Sequence, residues 1–157
     1  MPEHLANGHI VKIGIVSHDA EATGAALRAI YPTVPTPERP ARPASTAEPY
    51  LDYRGQRGQQ NAQVKVVHVH TDNFWFEVIE PIDATPSAWR DHLEAHGTSV
   101  CFASIHVDQP IEGQVKVMED LGFAPIWLQE KGFERYAYFD TAAVLGLLVE
   151  VKETNPR

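Results

Sequence analysis

Two histidines, His68 and His70, alternate with Val67 and Val69 in a β-branched run. Alternate side chains of a strand share a face, so both imidazoles point the same way. An imidazole has its ordinary pKa near neutrality, which suits general acid or base work beside a carboxylate. If Thr71 and Asp72 form a two-residue turn, His68 pairs across with Trp75 and Val66 pairs with Glu77. That register sets His68 one pair from Glu77 and makes it the histidine best placed for proton transfer. A solvated strand face would carry the same pattern without any chemistry. His106 shares its strand face with Phe102 and Ser104 but falls at the far strand end. His92 and His96 stand at helical spacing with no third ligand beside them, as on a solvated helix face. His4, His9 and His18 lie near the ends of elements and say little. Cys101 stands alone, which excludes a disulfide scaffold and a cysteine zinc cluster, and it is expected to point into a helix-covered core. No glycine-rich phosphate loop, serine nucleophile elbow or nucleic-acid motif is present.

The elements that must position these residues follow from periodicity. Residues 10–17 alternate as a strand. Asp19 then caps a helix to about Tyr31, with Ala22, Ala26, Ala29 and Ile30 as its apolar face. Six of the twelve prolines fall between Pro32 and Pro49, which predicts an irregular loop over 32–62. Strands follow at 64–70 and 74–79. A helix over 85–97 starts at Thr85-Pro86-Ser87, buries Trp89 and Leu93, and stops at Gly97. Residues 100–107 are a strand. Asp108 to Leu121 is a helix with Ile111, Val115 and Met118 on one stripe and Gly122 as its stop. Strands at 124–128, 135–139 and 147–152 complete the chain.

The two halves read as repeats, about 9–82 and 99–153, joined by the helix at 85–97. Each runs strand, helix, strands, and each closes on a matching pattern, Glu77-Val-Ile-Glu80 and Glu150-Val-Lys-Glu153. The expected fold class is therefore α+β: paired βαβββ modules, a mixed sheet curled around a cleft, helices on the outer face. The 157 residues, 43% apolar and 22% charged, suffice for a single domain over 1–157, or two halves with one core. The formal net charge of −8, with no basic run, argues against nucleic acid. No apolar stretch approaches the roughly 20 residues of a membrane span. Met1–Gly8 lacks a basic region leading into an apolar one, so a cytoplasmic location is expected. Trp75, Phe102, Trp127, Phe133 and Tyr138 are aromatics that either line a pocket or fill the core.

Lys12-Ile-Gly-Ile-Val-Ser-His-Asp19, Phe76-Glu-Val-Ile-Glu-Pro81, Phe102-Ala-Ser-Ile-His-Val-Asp108 and Arg135-Tyr-Ala-Tyr-Phe-Asp-Thr141 with Leu145-Gly-Leu-Leu-Val-Glu150 carry a family likeness. Together they resemble the vicinal oxygen chelate superfamily, which includes glyoxalase I, methylmalonyl-CoA epimerase, extradiol dioxygenases and bleomycin resistance proteins. The last stretch is the most specific, and the likeness spans nearly the whole chain outside the proline loop and termini. It implies a divalent metal held by one residue from each of four strands. Those positions fall on Lys12, Glu77, Phe102 and Glu150. A protonated lysine and a phenylalanine cannot ligate, and two carboxylates are too few. The resemblance thus implies a lost metal site and no other cofactor. Lys12 then stands in for the metal's charge between Glu77 and Glu150, or the three form a salt-bridge network without chemistry.

These expectations converge on a small-molecule enzyme that abstracts a proton next to a carbonyl: an isomerase, epimerase or lyase. Glu77 or His68 is the expected base, with Lys12 and Glu150 completing the catalytic set. Phe102, Trp75, Ser104, His70, Tyr138 and Trp127 are the expected walls around a largely apolar substrate, with the proline loop as a cover. Two alternatives stand beside it. One is a metal-free protein that sequesters a drug or metabolite. The other is a metal enzyme with displaced ligands from His68, His70 or His106. The expected partners are a small molecule and a second copy of the chain, with no nucleic acid and no membrane.

Overall fold

The computed structural model describes residues 4–39, 47–58 and 61–154. The predicted loop over 32–62 therefore lies partly outside the described residues, as do the first three residues of Met1–Gly8. The elements run β1 (Ile10–Val16), α1 (Ala20–Ile30), β2 (Tyr50–Tyr53), β3 (Gln56–Arg57), β4 (Val64–His70), β5 (Trp75–Pro81) and α2 (Ala88–His96). They continue with β6 (Ser99–Val107), α3 (Ile111–Asp120), β7 (Pro125–Glu130), β8 (Arg135–Phe139), α4 (Ala142–Leu145) and β9 (Leu148–Glu153). All nine strands form one mixed sheet in the order β3-β2-β7-β8-β9-β6-β1-β5-β4. The sheet curls without closing, and the fold is α+β.

The second half is a full βαβββ unit, β6-α3-β7-β8-β9. The first half is not, because its hairpin β2–β3 crosses to pair with β7. Among the described residues, only Val34 bridges the outer edge of β4, at His70. The expected loop over 32–62 thus contains a hairpin, turned by Arg54 and Gly55 at positive φ. The alternating burial of Tyr50–Tyr53 is a two-residue period too short to stand out beside so many prolines.

Each half buries an outward sheet face under a helix. Ile105, Val107, Ala137 and Val151 pack on Ile111 and Met118 of α3. Val67, Val69, Phe76 and Val78 pack on Ala20 and Leu27 of α1. The face expected for α1 is corrected here: Ile30 is 71% exposed, and the helix buries Ala20, Gly24 and Leu27 instead. The reason is close approach, since a Cβ on Gly24 would meet Val67 Cγ1 at 2.7 Å. Asp19 caps α1 by accepting from the Ala22 amide. Ser87 caps α2 in the same way. The helix expected from Asp108 begins instead at Ile111, behind Pro110, which makes no side-chain cap.

The inner face is where α2 matters. Trp89 and Leu93 join Val16, Ile79, Phe102, Trp127 and Tyr138 in a third cluster. The connecting helix therefore plugs one end of the curl, and Trp89 Nε1 donates to the Tyr138 hydroxyl at 3.1 Å. What stays open beside this plug is the cleft.

Candidate functional site

Five neighbouring strands and the bond pattern between them bring the site residues together. Lys12 of β1 lies opposite Ser104 of β6, Ser104 opposite Glu150 of β9, and Glu77 of β5 opposite His68 of β4. Lys12 Nζ sits 3.2 Å from Glu77 Oε1 and 3.1 Å from Glu150 Oε1. Ser104 donates to the same Glu150 oxygen at 2.7 Å. His68 Nε2 lies 3.0 Å from Glu77 Oε2. The expected catalytic set of Glu77, His68, Lys12 and Glu150 is thus one connected cluster. The pairing that produces it differs from expectation: His68 faces Glu77 directly and His70 faces Trp75. A longer turn is the cause, closed by the Thr71 amide on the Phe74 carbonyl and by the Thr71 hydroxyl on that carbonyl.

The electrostatics follow from burial and pairing. Burial alone would lower the pKa of Lys12, but the adjacent carboxylates of Glu150 and Glu77 outweigh it and hold the ammonium above its ordinary value. Burial would raise Glu77, but the charge of Lys12 and the bond from His68 win and hold it well below the usual carboxylate range. Arg39, on the proline-rich segment, places Nη2 3.3 Å from His68 Nδ1. A guanidinium can only donate, so Nδ1 accepts and the ring proton sits on Nε2, donated to Glu77.

These side chains open on a cleft of about 220 Å³. Its walls include residues that sequence reasoning missed: Arg39, Trp89, Lys131, Glu134, Tyr136 and Lys152. Lys152 carried a signal, being two residues from Glu150 on the same strand face. Lys131 and Glu134 flank the β7–β8 turn, where no period marks a direction.

The expected substrate walls divide. Tyr138 lines the cleft. Phe102 does not: it is fully buried beneath Lys12, with its ring over Gly14, whose hydrogen leaves the only room for it. Trp127 is 1% exposed and packs against Trp89 at 4.9 Å between ring centroids, so it is core. Ser104 is buried and holds Glu150 rather than a ligand. Trp75 and His70 stack on each other at 5.3 Å, beside the cleft rather than lining it. Burial, then His68 and Arg39, lower the His70 pKa. Cys101 lies in the same buried cluster as Phe102 and Tyr138, not in the α3-covered one, because a bulge in the β1–β6 ladder skips it.

The donor set does not fit the divalent ion that the family resemblance implies. An ammonium bridges the two available carboxylates, Phe102 offers no donor, and His68 Nε2 is bound to Glu77. Among the described residues, no group of three or more His, Cys, Asp or Glu side chains is arranged to hold a metal ion. The displaced-ligand alternative through His68, His70 and His106 finds no such group either.

The open, curled mixed sheet has the vicinal oxygen chelate fold. Solved structures similar to it include methylmalonyl-CoA epimerase from Mycobacterium tuberculosis, 11% identical over 97% of this chain and 93% of that one, with a TM-score of 0.61. A variant of the Streptomyces coelicolor methylmalonyl-CoA epimerase in complex with 2-nitronate-propionyl-CoA is 18% identical over 93% and 94%, with a TM-score of 0.62. A mutant 4-hydroxymandelate synthase from Streptomyces coelicolor is 17% identical over 94% of this chain and 49% of that one, TM-score 0.56. No family model matches the sequence, and no curated protein matches it. Among the described residues, no helix is long and apolar enough to cross a membrane.

Proposed function

We propose that the cleft abstracts a proton next to a carbonyl of a small metabolite without a metal ion, as an isomerase or epimerase does. The observation that carries this reading is the continuous chain from His68 through Glu77 to Lys12 and Glu150. Glu77 accepts from both neighbours and is held too acidic to be an effective base near neutral pH. His68 is the better base, through Nδ1 once Arg39 yields to substrate. Glu77 and Glu150 against Lys12 leave one negative charge in the cluster, so a proton arriving on His68 neutralises it. Glu77 then orients the imidazolium. Among the described residues the Lys12 ammonium bonds two carboxylates, which leaves its third N–H for the oxyanion that develops on the carbonyl, a positive charge already in place before reaction. The epimerases with this fold support the reaction class. A second copy of the chain as partner and a cytoplasmic location belong to the same reading.

The sequestration alternative rests on the two lost metal ligands and on Phe102 in the cleft, and Phe102 is buried beneath it. The deciding experiment is α-hydrogen exchange in heavy water, followed by proton NMR on short acyl thioesters and 2-oxo acids, with protein dialysed against a chelator. Exchange that survives chelation and falls on the order of a hundredfold or more in His68→Gln supports the reading. Exchange that vanishes with the chelator and returns with a divalent metal overturns it, as does binding without exchange across the series.

A further inference from the structure

The charges of the cleft are segregated. Its floor holds Lys12 between Glu77 and Glu150, one negative charge in surplus. Its rim holds Arg39, Lys131 and Lys152 against the carboxylate of Glu134, two positive charges in surplus. That is unusual ground on a chain of net charge −8. The rim is also poorly compensated where it matters. Glu134 Oε2 lies 2.8 Å from Lys152, but its other oxygen is 3.7 Å from Lys131. That is too long for a hydrogen bond. Lys131 otherwise sits over the Tyr136 ring, 5.2 Å from its centroid. Lys131 is thus held by one long ion pair and a ring face while its side chain stays 36% exposed, and burial lowers its pKa against the opposing pull of Glu134.

We infer that the rim formed by Lys131 and Lys152, with Arg39 opposite, is an anion-recognition subsite, and that the cleft takes a small acid carrying a carboxylate or phosphate. This deepens the proton-abstraction reading by naming the substrate class. The anion docks at Lys131 and Lys152, and the negative floor repels that end of the molecule. The neutral carbonyl end is thereby turned inward, toward His68 and the free N–H of Lys12. At about 220 Å³ the cleft is smaller than the roughly 300–1,000 Å³ of drug-sized ligand sites, which favours a compact acid. Electrostatic focusing in a narrow cleft then favours the anion over its neutral isostere.

The test measures binding without catalysis, by NMR titration at low ionic strength with propionate, propionamide and inorganic phosphate. Propionate or phosphate is expected to bind at least about tenfold more tightly than propionamide, and whichever is tighter identifies the oxyacid. Lys131→Gln with Lys152→Gln is expected to bring that ratio to about one. Glu134→Gln, which removes the competing carboxylate, is expected to tighten anion binding severalfold, a gain that no folding defect mimics. Equal binding of propionate and propionamide, or weaker anion binding in Glu134→Gln, overturns the subsite. Lysine-dependent anion binding without α-hydrogen exchange leaves the subsite standing and overturns the proton-abstraction reading alone.

Discussion

Lys12 on β1 reaches across β6 to Glu150 on β9, placing Nζ 3.1 Å from Oε1, on the oxygen that also accepts from Ser104. Both side chains are almost wholly buried. A buried pair of this kind contributes little net stability when intact, but losing one partner leaves an uncompensated charge.

Lys12→Met is accordingly expected to destabilise the fold by roughly 3–5 kcal/mol. The same change made together with Glu77→Gln and Glu150→Gln should recover most of that loss. Urea unfolding of the two variants checks both halves. If the triple variant is no more stable than Lys12→Met, charge burial is not the cause.

Gly14 is required by contact, not by backbone angle. A Cβ there would lie 2.1 Å from Phe102 Cε1, and Phe102 cannot yield because Tyr138 packs on its ring at 4.9 Å. Gly14→Ala should cost on the order of 1–3 kcal/mol by overpacking, and Phe102→Leu in the same chain should return part of it. Additive losses in thermal unfolding would show that the two positions do not share one space.

The strands that carry the cluster were legible because β-branched alternation survives in each of them, and the matched Glu77 and Glu150 endings exposed the repeat. The facing of His68 and Glu77 was not, because a turn of 71–74 and a turn of 71–72 are equally compatible with Thr-Asp-Asn and differ only in how the Thr71 hydroxyl bonds. Phe102 was placed on the correct face, but a face does not give depth. Whether such a residue lines a cleft or lies under it depends on the glycine across the ladder and on Trp89 arriving from a distant helix. The rim was hidden for a related reason. Arg39, Lys131 and Glu134 come from a proline-rich segment and a hairpin turn, where no period ties sequence to direction.

Burial, with a smaller push from Glu150, raises the Cys101 thiol to about 12. At pH 8 the thiolate fraction is then on the order of 10⁻⁴, and the side chain has no exposure to reagent. Native protein should not react with a thiol reagent except through unfolding. The labelling rate should therefore follow urea concentration along with the unfolding rate. Stoichiometric labelling within the mixing time in buffer alone would contradict this burial.

Burial pushes the pKa of His106 down to about 4, helped by the charges of Lys12 and Lys152 and opposed by Glu150 and Glu134. Its Nε2 is buried with no hydrogen-bond partner, so the ring is held neutral. In the unfolded chain the same ring titrates near 6.5. Between these values the unfolded state binds the extra proton, so stability from this site is fully present above about 6.5 and is lost as pH falls toward 4. The whole effect is at most roughly 3 kcal/mol, at 1.36 kcal/mol per pKa unit. His70 and His92 are also lowered and slope the same way, while Glu77 adds its own loss only below the ordinary carboxylate range. Urea midpoints measured from pH 4.5 to 7 should therefore rise with pH in the native chain and rise less steeply in His106→Phe. Parallel slopes for the two proteins would mean that His106 titrates alike in the folded and unfolded chain, so that its burial does not lower its pKa.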